Sequence, residues 1–88
     1  MLPLEVIDKC TNRKITILMK NHTEFFGTLT GFDDTTMTII LHEVKEFKYN
    51  GKERQLIKEM PSILLNGAHI CLMIPGDDEI GPKAAKDS

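Results

Sequence analysis

The sequence has no tryptophan, one tyrosine, four phenylalanines and two cysteines in 88 residues. So few aromatics argue against a surface that stacks a long run of bases unaided. Cys10 and Cys71 are far apart in the chain, whereas zinc-binding cysteines come in close pairs. One disulfide between them is an option, but apolar surroundings point instead to two buried free thiols. No apolar stretch approaches the ~18 residues that a membrane span needs. A signal peptide is also missing, because Glu5 and Asp8 interrupt the place of its apolar core, and an intracellular setting is expected. A basic excess is absent too. The net charge is -2, whereas an isolated nucleic-acid binder is usually basic, so any such role must rest on a local cluster or on assembled subunits. No nucleophile elbow, carboxylate-rich signature or phosphate loop occurs, and His22, His42 and His69 lie in different segments. The chain is therefore read as no enzyme, with no catalytic residue, metal ligand or cofactor.

What is present centres on Gly27-Thr28-Leu29-Thr30-Gly31-Phe32-Asp33-Asp34, followed by Thr35-Thr36-Met37-Thr38-Ile39-Ile40. Glycines inside a strand pattern mark a bulge, a bend or a close backbone approach. The stretch predicts one long strand bent hard, a tight turn at Asp33-Asp34, and a second long strand. Strands bent in this way curl a small sheet towards a barrel.

The remaining elements follow in order. Leu2 to Cys10 predicts a short helix with Leu4, Ile7 and Cys10 along one stripe, too short to persist in water without something to lie on. Arg13 to Met19 alternates as a half-buried strand, and Glu24 opens the next one. Lys48-Tyr49-Asn50-Gly51-Lys52 reads as a hairpin with a type I′ turn at Asn-Gly. A further strand runs from about Arg54 to Leu65, and Pro61 places a bulge in it or sets it at an edge. Asn66-Gly67 is a second tight turn. Ile70 to Ile74 is apolar throughout, as expected of a strand buried on both faces. Residues 77–88 are charged and small and read as a disordered tail after a domain of residues 1–76. The fold class is mainly β, one helix followed by five antiparallel strands. A row of five strands leaves two edges, and an apolar edge strand must be covered. Either the sheet closes on itself or its edges pair with other subunits.

At this point the residues resemble a known family. Gly27-Thr28-Leu29 with Gly31-Phe32-Asp33 looks like the first Sm motif, and Leu64-Leu65-Asn66-Gly67-Ala68-His69-Ile70 like the second. The order of elements between Leu2 and Ile74 is similar to the Sm fold, a strongly bent, SH3-like open barrel. The resemblance to Sm and Like-Sm proteins implies a ring in which strand four of one subunit pairs with strand five of the next. It further implies a nuclear ring of seven Like-Sm subunits that binds the uridine-rich 3′ end of U6 small nuclear RNA in splicing. A related cytoplasmic ring, on the same resemblance, binds messenger RNA 3′ ends and promotes decapping and decay.

In the family, the first-motif turn supplies a stacking side chain and, two residues on, an asparagine for the base edge. Thr35 and Met37 stand at those positions here, and neither matches. The second-motif turn is represented by Asn66, Gly67 and Ala68, where the family often has an arginine, a glycine and a small or amide residue. Gly31 and Asp33 shape the first turn, Asp33 by accepting turn N–H groups. Thr35 offers a methyl and a hydroxyl, and Met37 only a weak thioether acceptor. The expected RNA-contact set is therefore Thr35, Met37, Asn66, Gly67 and Ala68, in a weakened pocket. A subunit that chiefly completes the ring or serves as a protein-interaction scaffold stays open, as does an OB-type single-strand binder. Lys14, Lys20, Arg54 and Lys58 form either a phosphate-attracting surface or a solvated face.

Overall fold

The computed structural model describes residues 4–77 and 85–86. Helix α1 (Leu4–Lys9) leads into strands β1 (Lys14–Met19), β2 (Thr23–Asp33), β3 (Thr38–Asn50), β4 (Glu53–Asn66) and β5 (Ile70–Pro75), with a short β6 (Ala85–Lys86). The sheet order is β5-β1-β2-β3-β4-β6. All neighbours are antiparallel except β4 and β6, where Gln55 and Leu56 pair in parallel with Ala85 and Lys86. The sheet does not close on itself. Strand β5 stands at one side, and β4 is the outermost long strand at the other. The tail was expected to be irregular; β6 is its described exception, and the disorder expected of residues 78–84 and 87–88 lies outside the described residues.

The bend arises where the glycines place it. The β2–β3 register shifts between Phe26 and Thr28 and again between Leu29 and Gly31. A Cβ on Gly27 would sit 3.0 Å from the His42 carbonyl oxygen and 3.2 Å from Val44 Cγ2. Two backbones approach there so closely that a side chain would push its neighbours apart by a few tenths of an ångström. Opposite this bulge, Glu43 adopts φ 53°, a left-handed residue that turns the strand.

Curling gathers the alternating apolar residues into one core. Ile15, Ile17, Leu29, Ile39 and Leu41 are fully enclosed, and Leu65, Ile70 and Met73 join them. Ile7 and Cys10 bring α1 onto this core as the stripe anticipated; Leu4 lies outside the described side chains. At roughly 25 cal/mol per Å² of apolar surface buried, this contact is what holds so short a helix. Phe26 and Phe47 are buried outside that cluster, and Arg54 lies 3.6 Å above the Phe47 ring.

Three expectations are corrected. The β3–β4 loop is Gly51-Lys52, since Asn50 still pairs with Glu53. Of these four residues only Gly51 has positive φ, 64°, the sign pattern of a type II′ turn with glycine first. Strand β5 is not enclosed on both faces; Cys71 and Leu72 are exposed, and among the described residues no strand lies beyond it. Of the two free cysteines, Cys10 is buried and Cys71 is not. Pro61 lies in β4, the outer long strand, at the point where the β3–β4 register passes from His42–Ser62 to Val44–Met60 without a Glu43–Pro61 pair.

Candidate RNA-contact turns

Two turns distant in sequence meet because β3 begins where β4 ends. Thr38 pairs with Asn66 across that ladder. The Gly67 N–H then donates to the Met37 carbonyl at 2.6 Å, tying the turns together beyond the last pair. Thr35, Met37, Asn66, Gly67 and Ala68 thus come from two connected turns. Thr35, Asn66 and Ala68 are exposed, Met37 is half-buried and Gly67 is buried.

The first turn is organised by Asp33. Its Oδ1 accepts the Thr35 N–H at 3.0 Å and the Thr35 hydroxyl at 2.6 Å, the Asx arrangement expected from sequence. The Thr35 hydroxyl is the leading influence that holds the Asp33 carboxyl below the usual aspartate range; the Thr35 amide and the Thr36 groups add to it. Thr35 therefore spends its hydroxyl inside the turn and leaves a methyl to a ligand. Met37 has φ 55°, a left-handed conformation that a long side chain rarely takes. Gly31 is half-buried, with its site for a Cβ 3.2 Å from the mobile end of Ile40.

The second turn is a single 3-10 turn, Gly67–His69, capped by Asn66. The Asn66 Oδ1 accepts the Ala68 N–H at 2.9 Å. That bond fixes the amide and leaves its Nδ2 donors for a ligand, able to meet a base carbonyl.

Because a depressed carboxyl pKa marks a carboxylate favoured in the folded state, Asp33 supports its turn above the pKa of an unfolded aspartate, about 3.9. That support is lost as pH falls through the lowered value. The Thr35 amide proton resonance should therefore stay constant through pH 5 and shift only below about pH 4, while Asp33→Ala should shift it at every pH.

The cations weighed together in the sequence separate in space. Arg54 is buried, its Nη2 and Nε donating to Glu24 Oε2 at 2.5 and 3.0 Å. The Tyr49 hydroxyl donates to Glu24 Oε1 at 2.6 Å, and burial first, then the Glu24 carboxylate, push the phenol pKa up. Lys58 lies 3.9 Å from Glu46, and Lys14 sits 5.5 Å from the Phe26 ring centre. The Glu24–Arg54–Tyr49 cluster was missed in the sequence, since nothing in residues 30 apart announces a contact. Among the described residues no group of acids, histidines and cysteines could hold a metal ion.

Residues 5–75 match the LSM domain family. The chain is 47% identical over 83 residues to "Probable U6 snRNA-associated Sm-like protein LSm5" of Dictyostelium discoideum, covering 94% of this chain and 81% of that protein. It is 43% identical to "LSM complex subunit lsm5" of Schizosaccharomyces pombe, over 86% of this chain and 90% of that one. Among solved structures, an Sm-like protein of Archaeoglobus fulgidus superposes with TM-score 0.69 at 27% identity, over 86% of this chain and 96% of that one. The Pyrococcus abyssii Sm protein, solved in complex with a uridine heptamer, superposes with TM-score 0.72 at 22% identity, over 86% of this chain and all of that one. The last match speaks to the fold.

Proposed function

The chain belongs to the LSM domain family, and from that membership we propose that it is one subunit of a Like-Sm ring that holds uridine-rich single-stranded RNA. The observation that carries this reading is the junction of two turns by the Gly67–Met37 hydrogen bond. It joins the turns that carry Asn66, Met37 and Thr35 at one end of the β3–β4 ladder, and on this reading a base is held between them. The relatives that match it in sequence include one named for association with U6 small nuclear RNA, and a nuclear role in splicing is the corresponding assignment. The cytoplasmic ring acting on messenger RNA 3′ ends is proposed with it. The role is binding, with no catalytic step.

The edges support assembly. On β4, Leu64 is 67% exposed, and on β5, Leu72 is 46% exposed. Leu72 lines a hollow of about 260 Å³ with Leu18 and Ile74. A soluble chain keeps such edges apolar when another strand covers them, and strand four of one subunit pairing with strand five of the next does so. Thr35, Met37, Asn66, Gly67 and Ala68 are the proposed RNA contacts.

Native mass spectrometry of the chain, alone and co-expressed with its sister subunits, tests the reading. The expected result is a closed ring containing this chain that takes up a short oligouridine. A closed ring that ignores oligouridine would instead assign the chain a ring-completing scaffold role, and a persistent monomer in both preparations would overturn the assembly reading.

A further inference from the structure

Beside the Asn66 turn lies a second polar feature. The backbone N–H of Lys20, in the β1–β2 loop, donates to the His69 carbonyl at 2.9 Å. This bond seats the loop against the end of the 3-10 turn. Met19, Lys20, Asn21 and His69 together line a cleft of about 110 Å³. Its polar side chains can all donate. Lys20 brings an ammonium without an ion-pair partner among the described residues. The Asn21 Oδ1 is already taken by the Thr23 N–H at 3.2 Å, which leaves the Asn21 Nδ2 donors, and His69 brings a ring N–H. No carboxylate lines the cleft, although acids outnumber bases in the chain, 13 to 11.

A cleft of donors with a cation and no acid suits an anion of modest size. Its position says which anion. His69 closes the turn that Asn66 caps, and at about 2.0 Å rise per residue three residues of 3-10 helix span about 6 Å. A nucleic-acid strand carries a phosphate about every 3.4 Å, so the backbone of a strand whose base meets Asn66 runs within reach of the cleft. Resting on the RNA reading above, we propose that Lys20, Asn21 and His69 form a phosphodiester subsite that holds the RNA backbone next to the base at Asn66. The subsite reads charge and not base identity. It lets this subunit contribute to RNA binding although Thr35 and Met37 lack the family's stacking ring and amide.

The test measures oligouridine affinity of the assembled ring across a salt series, with wild-type chain, Lys20→Ala and Lys20→Arg. Each phosphate neutralised on a single strand contributes about 0.7 to the slope of log K against log salt. Lys20→Ala should reduce the slope by about 0.7, so that raising salt from about 50 to 200 mM costs roughly 2.6-fold less affinity than in wild type. Lys20→Arg should restore the slope, and an oligouridine with neutral methylphosphonate linkages should bind wild type and Lys20→Ala alike. The Lys20 side chain is exposed and only its backbone bonds His69, so both variants should fold. A ring that binds oligouridine with an unchanged slope in Lys20→Ala overturns the subsite alone. Failure of the wild-type ring to bind at any salt concentration overturns the RNA reading with it.

Discussion

Arg54→Met is expected to destabilise the domain by about 3–5 kcal/mol, the cost of leaving a buried carboxylate without its partner. Glu24 and Arg54 are 4% and 2% exposed, and two guanidinium nitrogens meet one carboxylate oxygen while Tyr49 meets the other. Removing Arg54 strips Glu24 of its only counter-charge among the bonds just named and removes the cation stacked on Phe47. Against a total stability of roughly 5–15 kcal/mol for a domain, the loss is large. The measurement is the urea midpoint at constant m-value. Replacing both partners, Glu24→Leu with Arg54→Met, should recover most of the loss, since an apolar pair of similar volume often matches a buried ion pair. The double variant also keeps the test readable if the single one does not fold. A single-variant cost below about 1 kcal/mol, the range of solvent-exposed ion pairs, would show that the pair behaves as one at the surface.

The second large effect concerns affinity. Thr35→Phe combined with Met37→Asn should strengthen oligouridine binding by the assembled ring by about 1–3 kcal/mol, or roughly 5- to 150-fold. The phenylalanine adds a stacking face, and the asparagine adds a donor and an acceptor for the base edge. The backbone accepts both changes. Met37 has φ 55°, and asparagine tolerates the left-handed region better than methionine does. Thr35→Phe loses the hydroxyl bond to Asp33 but keeps its N–H bond to the same oxygen. Fluorescence anisotropy over a fixed salt concentration reads the change. Unaltered affinity would mean that no base enters between these turns, and the subunit would then hold RNA, if at all, through Lys20 and its neighbours.

These two outcomes divide the molecule into what was legible from residue order and what was not. Local patterns carried the elements. Alternation in β1, the paired glycines of β2, the proline in β4 and the capped turn at Asn66 each express a backbone preference that neighbours in sequence impose. The Asx bonds of Asp33 were likewise local, two residues away. The hairpin at Gly51 shows the limit of such rules. Asn-Gly pointed to one turn type, yet cross-strand pairing carried through Asn50 and moved the loop on by one residue.

The family was read from the resemblance of two motifs to known ones; the fold class, the two motif turns and a pair of strand edges to be either closed or covered were determined by the sequence alone. They depend on composition, on spacing and on residues a few positions apart. The tertiary structure alone decided which charges are buried and which remain for a ligand. Arg54 and Lys20 look alike as letters, but curling the sheet carries one to Glu24 and leaves the other beside His69. It also decided that Cys71 and Leu72 face outwards in an apolar strand, because β5 is the outermost described strand on its side of the sheet. Long-range contact and solvent access are properties of the folded surface, and no local pattern encodes them.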